Sequence, residues 1–157
     1  MKTIQSWLDE YAESHQNPTN KAVHFICVPT IFFTIVGLLY SIKLPFHLPI
    51  MNQPELNVAE VVLVLVAAYY AMLSLSLAVG MVLFSLFCLM LCRAIDHSGI
   101  APLWIVCLVL FVIAWIFQFW GHNIEGKKPS FLKDIQFLMI GPAWVMSYYF
   151  SKLGISL

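Results

Sequence analysis

Three histidines and one glutamate stand in two polar stretches, each adjoining a long apolar run. The first stretch, "YAESHQNPTNKAVHF" (residues 11–25), carries His15, Asn17, Asn20, Lys21 and His24. The second, "QFWGHNIEGKKPSF" (residues 118–131), carries Gln118, His122, Glu125, Lys127 and Lys128. Imidazole and carboxylate are the usual donors to non-heme Fe(II), in sites that leave positions open for substrate and oxygen. The same donors also bind zinc. Neither stretch holds HExxH or a box of closely spaced histidines, and the interval from His15 to His24 is not a standard ligand spacing. Composition and spacing therefore leave a second reading open, in which His, Asn and Lys gather at helix ends because headgroup water is near.

Local signals place these residues. Asn17-Pro18 reads as an N-cap with proline at the first helical position. Asn20 and His24, four apart, then share a face. On one continuous helix His15 and His24 would point in opposite directions, since nine residues turn through about 900°. A break at Asn17-Pro18 frees His15 to fold back. Gln118, His122 and Glu125 recur at intervals of four and three and share one helix face. An interfacial aromatic belt explains Trp115 and Trp120, but not the Gln, His and Glu beside them. Ionisable groups at membrane depth are costly and mark functional sites by default. His47 in "LPFHLPI" and His97 in "RAIDHSG" read as a loop residue and a helix-end residue, outside the site.

The elements that must position this chemistry are membrane helices. The chain is 61% apolar and 10% charged, against about 45–50% and 25% in soluble domains, which implies an integral membrane protein. Acidic and basic residues balance at eight each, so nothing points to nucleic acid. No linker divides the sequence, and residues 1–157 read as a single membrane domain. No cleavable secretory signal is expected, because Asp9, Glu10 and Glu13 interrupt the first stretch. Cys27, Cys88, Cys92 and Cys107 all lie in apolar runs without a CxxC pair and read as small buried hydrophobes.

Residues 22–42 and the run that begins near Ala101 each suit one crossing of a core about 30 Å thick. Residues 61–92 carry no charge, and as one helix would extend about 48 Å, requiring a tilt beyond the usual range of about 0–40°. A split near Ser74-Leu75-Ser76 gives two spans, roughly Val58–Ser74 and Ser76–Ile95. The expected fold is therefore an all-α helical membrane bundle of about five segments, with the last kinked or partly inserted at Gly141-Pro142. Lys2, Lys21, Lys127, Lys128 and Lys133 then share the N-terminal side, opposite Lys43, Arg93 and Lys152, so the positive-inside rule puts the N-terminus in the cytoplasm. Parity matters chemically. With five segments His24 and His122 face one leaflet; with four they face opposite ones.

Together, "YAESHQNPTNKAVHFICVP" and "FQFWGHNIEGKKPSFLKDIQFLMIGPAW" resemble the membrane-bound 2-hydroxy fatty acid dioxygenases, over about a third of the chain. That family includes a fungal endoplasmic reticulum enzyme of phytosphingosine breakdown, hence of sphingolipid metabolism, and many bacterial relatives. The resemblance implies an Fe(II)-dependent α-oxidation, in which a 2-hydroxy fatty acid and O₂ give an acid one carbon shorter. It implies metal ligation by His15, His24 and His122, with Glu125 as a fourth ligand or as a base behind the ligands. Asn20 and Gln118 would orient imidazoles, and Lys127 and Lys128 would attract the substrate carboxylate. It favours a bacterial inner membrane, or the endoplasmic reticulum in a eukaryote. Two other functions stay open on the residues alone. A non-enzymatic carrier, channel or assembly factor needs a polar path, for which the middle offers only Ser74, Ser76 and Ser85; a heme protein would use paired histidines on facing helices.

Overall fold

The computed structural model describes residues 2–46, 55–129 and 135–157. His47 and Lys133 fall outside them. Among the described residues six helices follow in order: α1 (Ile4–Ala12), α2 (Pro18–Tyr40), α3 (Val58–Leu73), α4 (Leu75–Ser98), α5 (Leu103–Glu125) and α6 (Ile135–Leu153). Among the described residues there is no strand, only an isolated bridge between Lys43 and Asn57. The all-α membrane bundle is what the hydropathy demands, since a helix satisfies its own backbone polar groups where lipid cannot. Three helices, α2, α4 and α5, are long and apolar enough to cross a membrane, while α3 is apolar but shorter, with 16 residues.

The uncharged middle does break at Ser74. Its extended backbone (φ −165°, ψ 128°) ends α3 and starts α4. Ser74 donates its N–H to the Tyr70 carbonyl at 2.8 Å and accepts from Leu77 N at 3.2 Å, so one residue caps both helices. The two helices fold back on each other. Tyr70 and Leu77 share a core cluster near the break, and Ala59, Leu63, Cys88 and Cys92 share another at the far end. That far cluster also holds Tyr40 from the end of α2 and Leu103 from the start of α5. Helix direction therefore alternates through α2, α3, α4 and α5, which returns the end of α5 to the side where α2 begins.

Lipid-facing Leu65, Leu83, Phe87 and Ile116 are exposed, as the bilayer requires. Between helices, lipid gives no hydrophobic driving force, and close packing of small residues takes its place. Gly37 on α2 shows this: a Cβ there would collide with Cys107 Sγ of α5.

The last segment packs against the end of the bundle beside α1. Pro142 lies inside α6 without ending it. Phe137, Trp144 and Tyr148 of α6 pack on Trp7, Tyr11 and Phe25, and Tyr70 donates to the Met139 carbonyl at 2.7 Å. Ile155 and Leu157, past its end, line a groove with Gln5, Asp9 and Lys21. These partners all belong to the half of the bundle nearest α1, so α6 lies across that end beside α1. Lys152, expected on the opposite face, consequently sits on the α1 side, 5.5 Å from the Tyr148 ring.

Candidate metal centre

Each imidazole arrives from a different element. Asn17 caps α2, accepting from Thr19 N at 2.9 Å and Asn20 N at 3.4 Å, with Pro18 first in the helix. This stop between α1 and α2 leaves His15 in a turn, its N–H on the Ala12 carbonyl at 3.0 Å. His24 lies in the second turn of α2 and His122 in the last turn of α5. The alternation of helix direction brings all three together. Ring centroids are 4.4 Å apart for His15 and His24, 4.7 Å for His24 and His122, and 5.0 Å for His15 and His122. One nitrogen from each ring lies within 4.8 Å of the others. All three side chains are buried.

The rings are oriented for ligation. His15 Nδ1 lies 2.7 Å from the Tyr11 carbonyl, and His24 Nδ1 lies 2.9 Å from the Asn20 carbonyl. A carbonyl only accepts, so each Nδ1 carries the proton and each Nε2 keeps its lone pair. Both Nε2 atoms are buried and meet no hydrogen-bond partner among the described residues. A buried acceptor left so costs about 1–3 kcal/mol, and a cation between the rings removes that cost. The donor set thus fits a divalent transition metal. Burial also pushes the His15 imidazole well below its ordinary pKa, which keeps it neutral and able to ligate.

The residues around the rings hold their positions. Tyr11 stacks on His15 with centroids 4.3 Å apart and planes 10° from parallel. Glu125 Oε1 accepts from Gln16 N at 3.0 Å, and Oε2 from Asn17 N at 2.8 Å and Asn20 Nδ2 at 3.1 Å. Asn20 Nδ2 also reaches the Ser14 carbonyl at 3.2 Å. Glu125 therefore clasps the turn that carries His15 to the helix end that carries His122. Its oxygens are committed to that turn, and the cluster of donor atoms consists of the three histidines. Asn20 can approach α5 because residue 121 is glycine; a Cβ there would lie 2.5 Å from Asn20 Oδ1.

Other site residues lie further off. Asn20 meets His24 through its backbone carbonyl rather than its side chain. Lys127 donates to the Glu13 carbonyl at 2.8 Å on the outer surface, and Lys128 is exposed. Gln118 is buried one turn before His122 and lines a cavity between α2, α3, α5 and α6. Sequence reasoning passed over Tyr11, although an aromatic four residues before His15 was a usable signal. It also passed over Trp144, whose ring lies 5.3 Å from that of His15; no spacing links the two.

A family model described as 2-hydroxy-palmitic acid dioxygenase Mpo1-like matches residues 1–153. The chain belongs to the Mpo1-like family. A Saccharomyces cerevisiae protein named 2-hydroxy-palmitic acid dioxygenase MPO1 is 31% identical over 153 residues, which cover 96% of this chain and 82% of that one. No solved structure matches. The Mpo1-like likeness, read above from two polar stretches, thus extends through the apolar helices between them.

Proposed function

We propose that this membrane protein is an Fe(II)-dependent dioxygenase that converts a 2-hydroxy fatty acid and O₂ to a fatty acid one carbon shorter. The observation that carries this reading is the convergence of three buried imidazoles, two with bare Nε2 atoms, in a member of a family named for that reaction. His15, His24 and His122 would hold the iron, which when bound supplies the redox chemistry with O₂ that side chains lack. With three protein donors, a bound iron would remain accessible to a 2-hydroxy carboxylate and to O₂. Tyr11 and Trp144 seal the rings from water on the α1 side, and Glu125 and Asn20 fix the turn between α1 and α2. Glu125 acts as an orienting group behind the ligands, a role its three hydrogen bonds support.

The site lies where α2 begins and α5 ends, at the level of the lipid headgroups. A substrate can present its carboxylate there while its tail, worth about 0.8 kcal/mol per buried CH₂, stays in apolar surroundings. Lys2, Lys21, Lys127, Lys128 and Lys152 share that side, against Lys43 and Arg93 on the other, which supports a cytoplasmic site. In a bacterium the membrane is the inner one; in a eukaryote, the endoplasmic reticulum. Heme ligation is disfavoured by packing, because rings 4.4–5.0 Å apart leave no slot for a macrocycle.

Protein purified without oxygen and loaded with iron should consume O₂ and 2-hydroxypalmitate together and release pentadecanoate. Substrate unchanged by iron-loaded protein, across a range of 2-hydroxy acids, would overturn the assignment.

A further inference from the structure

A cavity of about 140 Å³ with almost wholly apolar walls begins about one turn from the histidines, none of which lines it. Along α2 its lining runs from Val28 to Leu39, which at 1.5 Å per residue is about 16 Å of helix. One end therefore adjoins the histidines, and the other reaches the far cluster at Ala59 and Leu63. Among the described lining residues, Tyr11, Gln118 and Trp115 carry polar side-chain atoms, and the first two stand at the histidine end. Tyr11 stacks on His15, and Gln118 sits one turn before His122. Gln118 is only 3% exposed and makes no hydrogen bond among the described residues. Its carboxamide is therefore available to a partner that enters the cavity it lines. Gly141 of α6 admits the Tyr11 hydroxyl, which would lie 3.0 Å from a Cβ at that position.

We propose that this cavity is the acyl channel of the enzyme and the ruler of its substrate length. The polar head of a straight-chain 2-hydroxy acid lies between Gln118 and Tyr11, next to the histidines, and its tail runs between α2 and α3 toward Ala59. Head recognition then falls to an uncharged amide and a phenol. The inference rests on the 2-hydroxy acid reading for the identity of the head, whereas the path of the tail rests on the cavity alone.

Helix α3 runs from the far end toward the histidines, so Ala59, Val62 and Val66 line the channel at successively nearer positions. Substitution by Phe at each should exclude progressively shorter tails. Selectivity, kcat/KM for 2-hydroxydecanoate relative to 2-hydroxystearate, should rise about tenfold or more in each variant as buried methylenes are lost. The cutoff should move inward in the order Ala59→Phe, Val62→Phe, Val66→Phe, with iron content unchanged. Val62 is only half-buried, so Val62→Phe tests the idea even where Ala59→Phe fails to fold.

A 2-hydroxypalmitate carrying a terminal diazirine gives a readout free of turnover. In protein held in lipid nanodiscs, its label should map to the segment around Leu39, Ala59 and Leu63. Labelling confined to lipid-facing Leu65, Leu83 and Phe87, or the same loss at every chain length, would overturn the channel. Correct labelling without turnover by any iron-loaded form would instead sink the dioxygenase reading and leave the channel standing.

Discussion

At the end of the bundle beside α1, His15 and His24 are buried with acceptor atoms that no hydrogen bond uses, and Gln118 is buried facing a cavity. At the other end, Asn57 exchanges a reciprocal pair of hydrogen bonds with Glu60, at 3.2 and 3.1 Å. Cys92 and Cys107 there close around Gly37. Both ends are built from the same apolar helices, and both bury polar atoms. Asn57 Nδ2 also lacks a partner, but among the described residues only the near end gathers ligand atoms from three side chains within 4.8 Å of one another. Burial at the far end closes packing and caps a helix; burial at the near end prepares a place for something absent from the polypeptide.

Substitutions sharpen that contrast. The largest effect belongs to the rings. His24→Ala should drop bound iron and 2-hydroxypalmitate turnover to background, whereas Cys107→Ala, equally buried at the far end, should keep both; metal analysis and oxygen uptake read the difference. Glu125→Gln keeps an acceptor but removes the charge that clasps three N–H groups. Iron affinity should fall about 10–100-fold, as for other groups that orient metal ligands, measured by competition with a chelator.

A matched pair of overpacking changes comes next. Gly37→Val and Gly121→Val should each cost about 1–3 kcal/mol of stability, seen in thermal melts in detergent. Only Gly121→Val, which pushes on Asn20, should also weaken iron binding. Equal loss of iron in both would erase the distinction between the two ends. The smallest effect is that of Gln118→Leu, which should raise KM about tenfold, the loss of one hydrogen bond to a charged head, with iron content unchanged.

The sequence made much of this framework legible. Length alone placed a break near Ser74, because one helix could not fit the bilayer, and the resulting parity set His24 and His122 at one end. Asn17-Pro18 announced the start of α2 through its capping chemistry. The bed of α6 was not legible. Hydropathy and a Gly-Pro pair do not say which helices an apolar segment packs against, and the contacts with Tyr11 and Phe25 are long-range. Nor were the partners of Glu125 visible, since they are mainly backbone N–H groups, which every residue type but proline carries. Gln118 shares a face with His122 by spacing, yet it lines the cavity and His122 does not, a distinction that helical periodicity does not encode.

X-ray absorption at the iron edge, on anaerobically loaded protein without substrate, addresses the metal centre most directly. Multiple scattering from three imidazoles is the expected spectrum. Sulfur neighbours, or a signal from fewer than three imidazoles, would contradict a metal held by His15, His24 and His122.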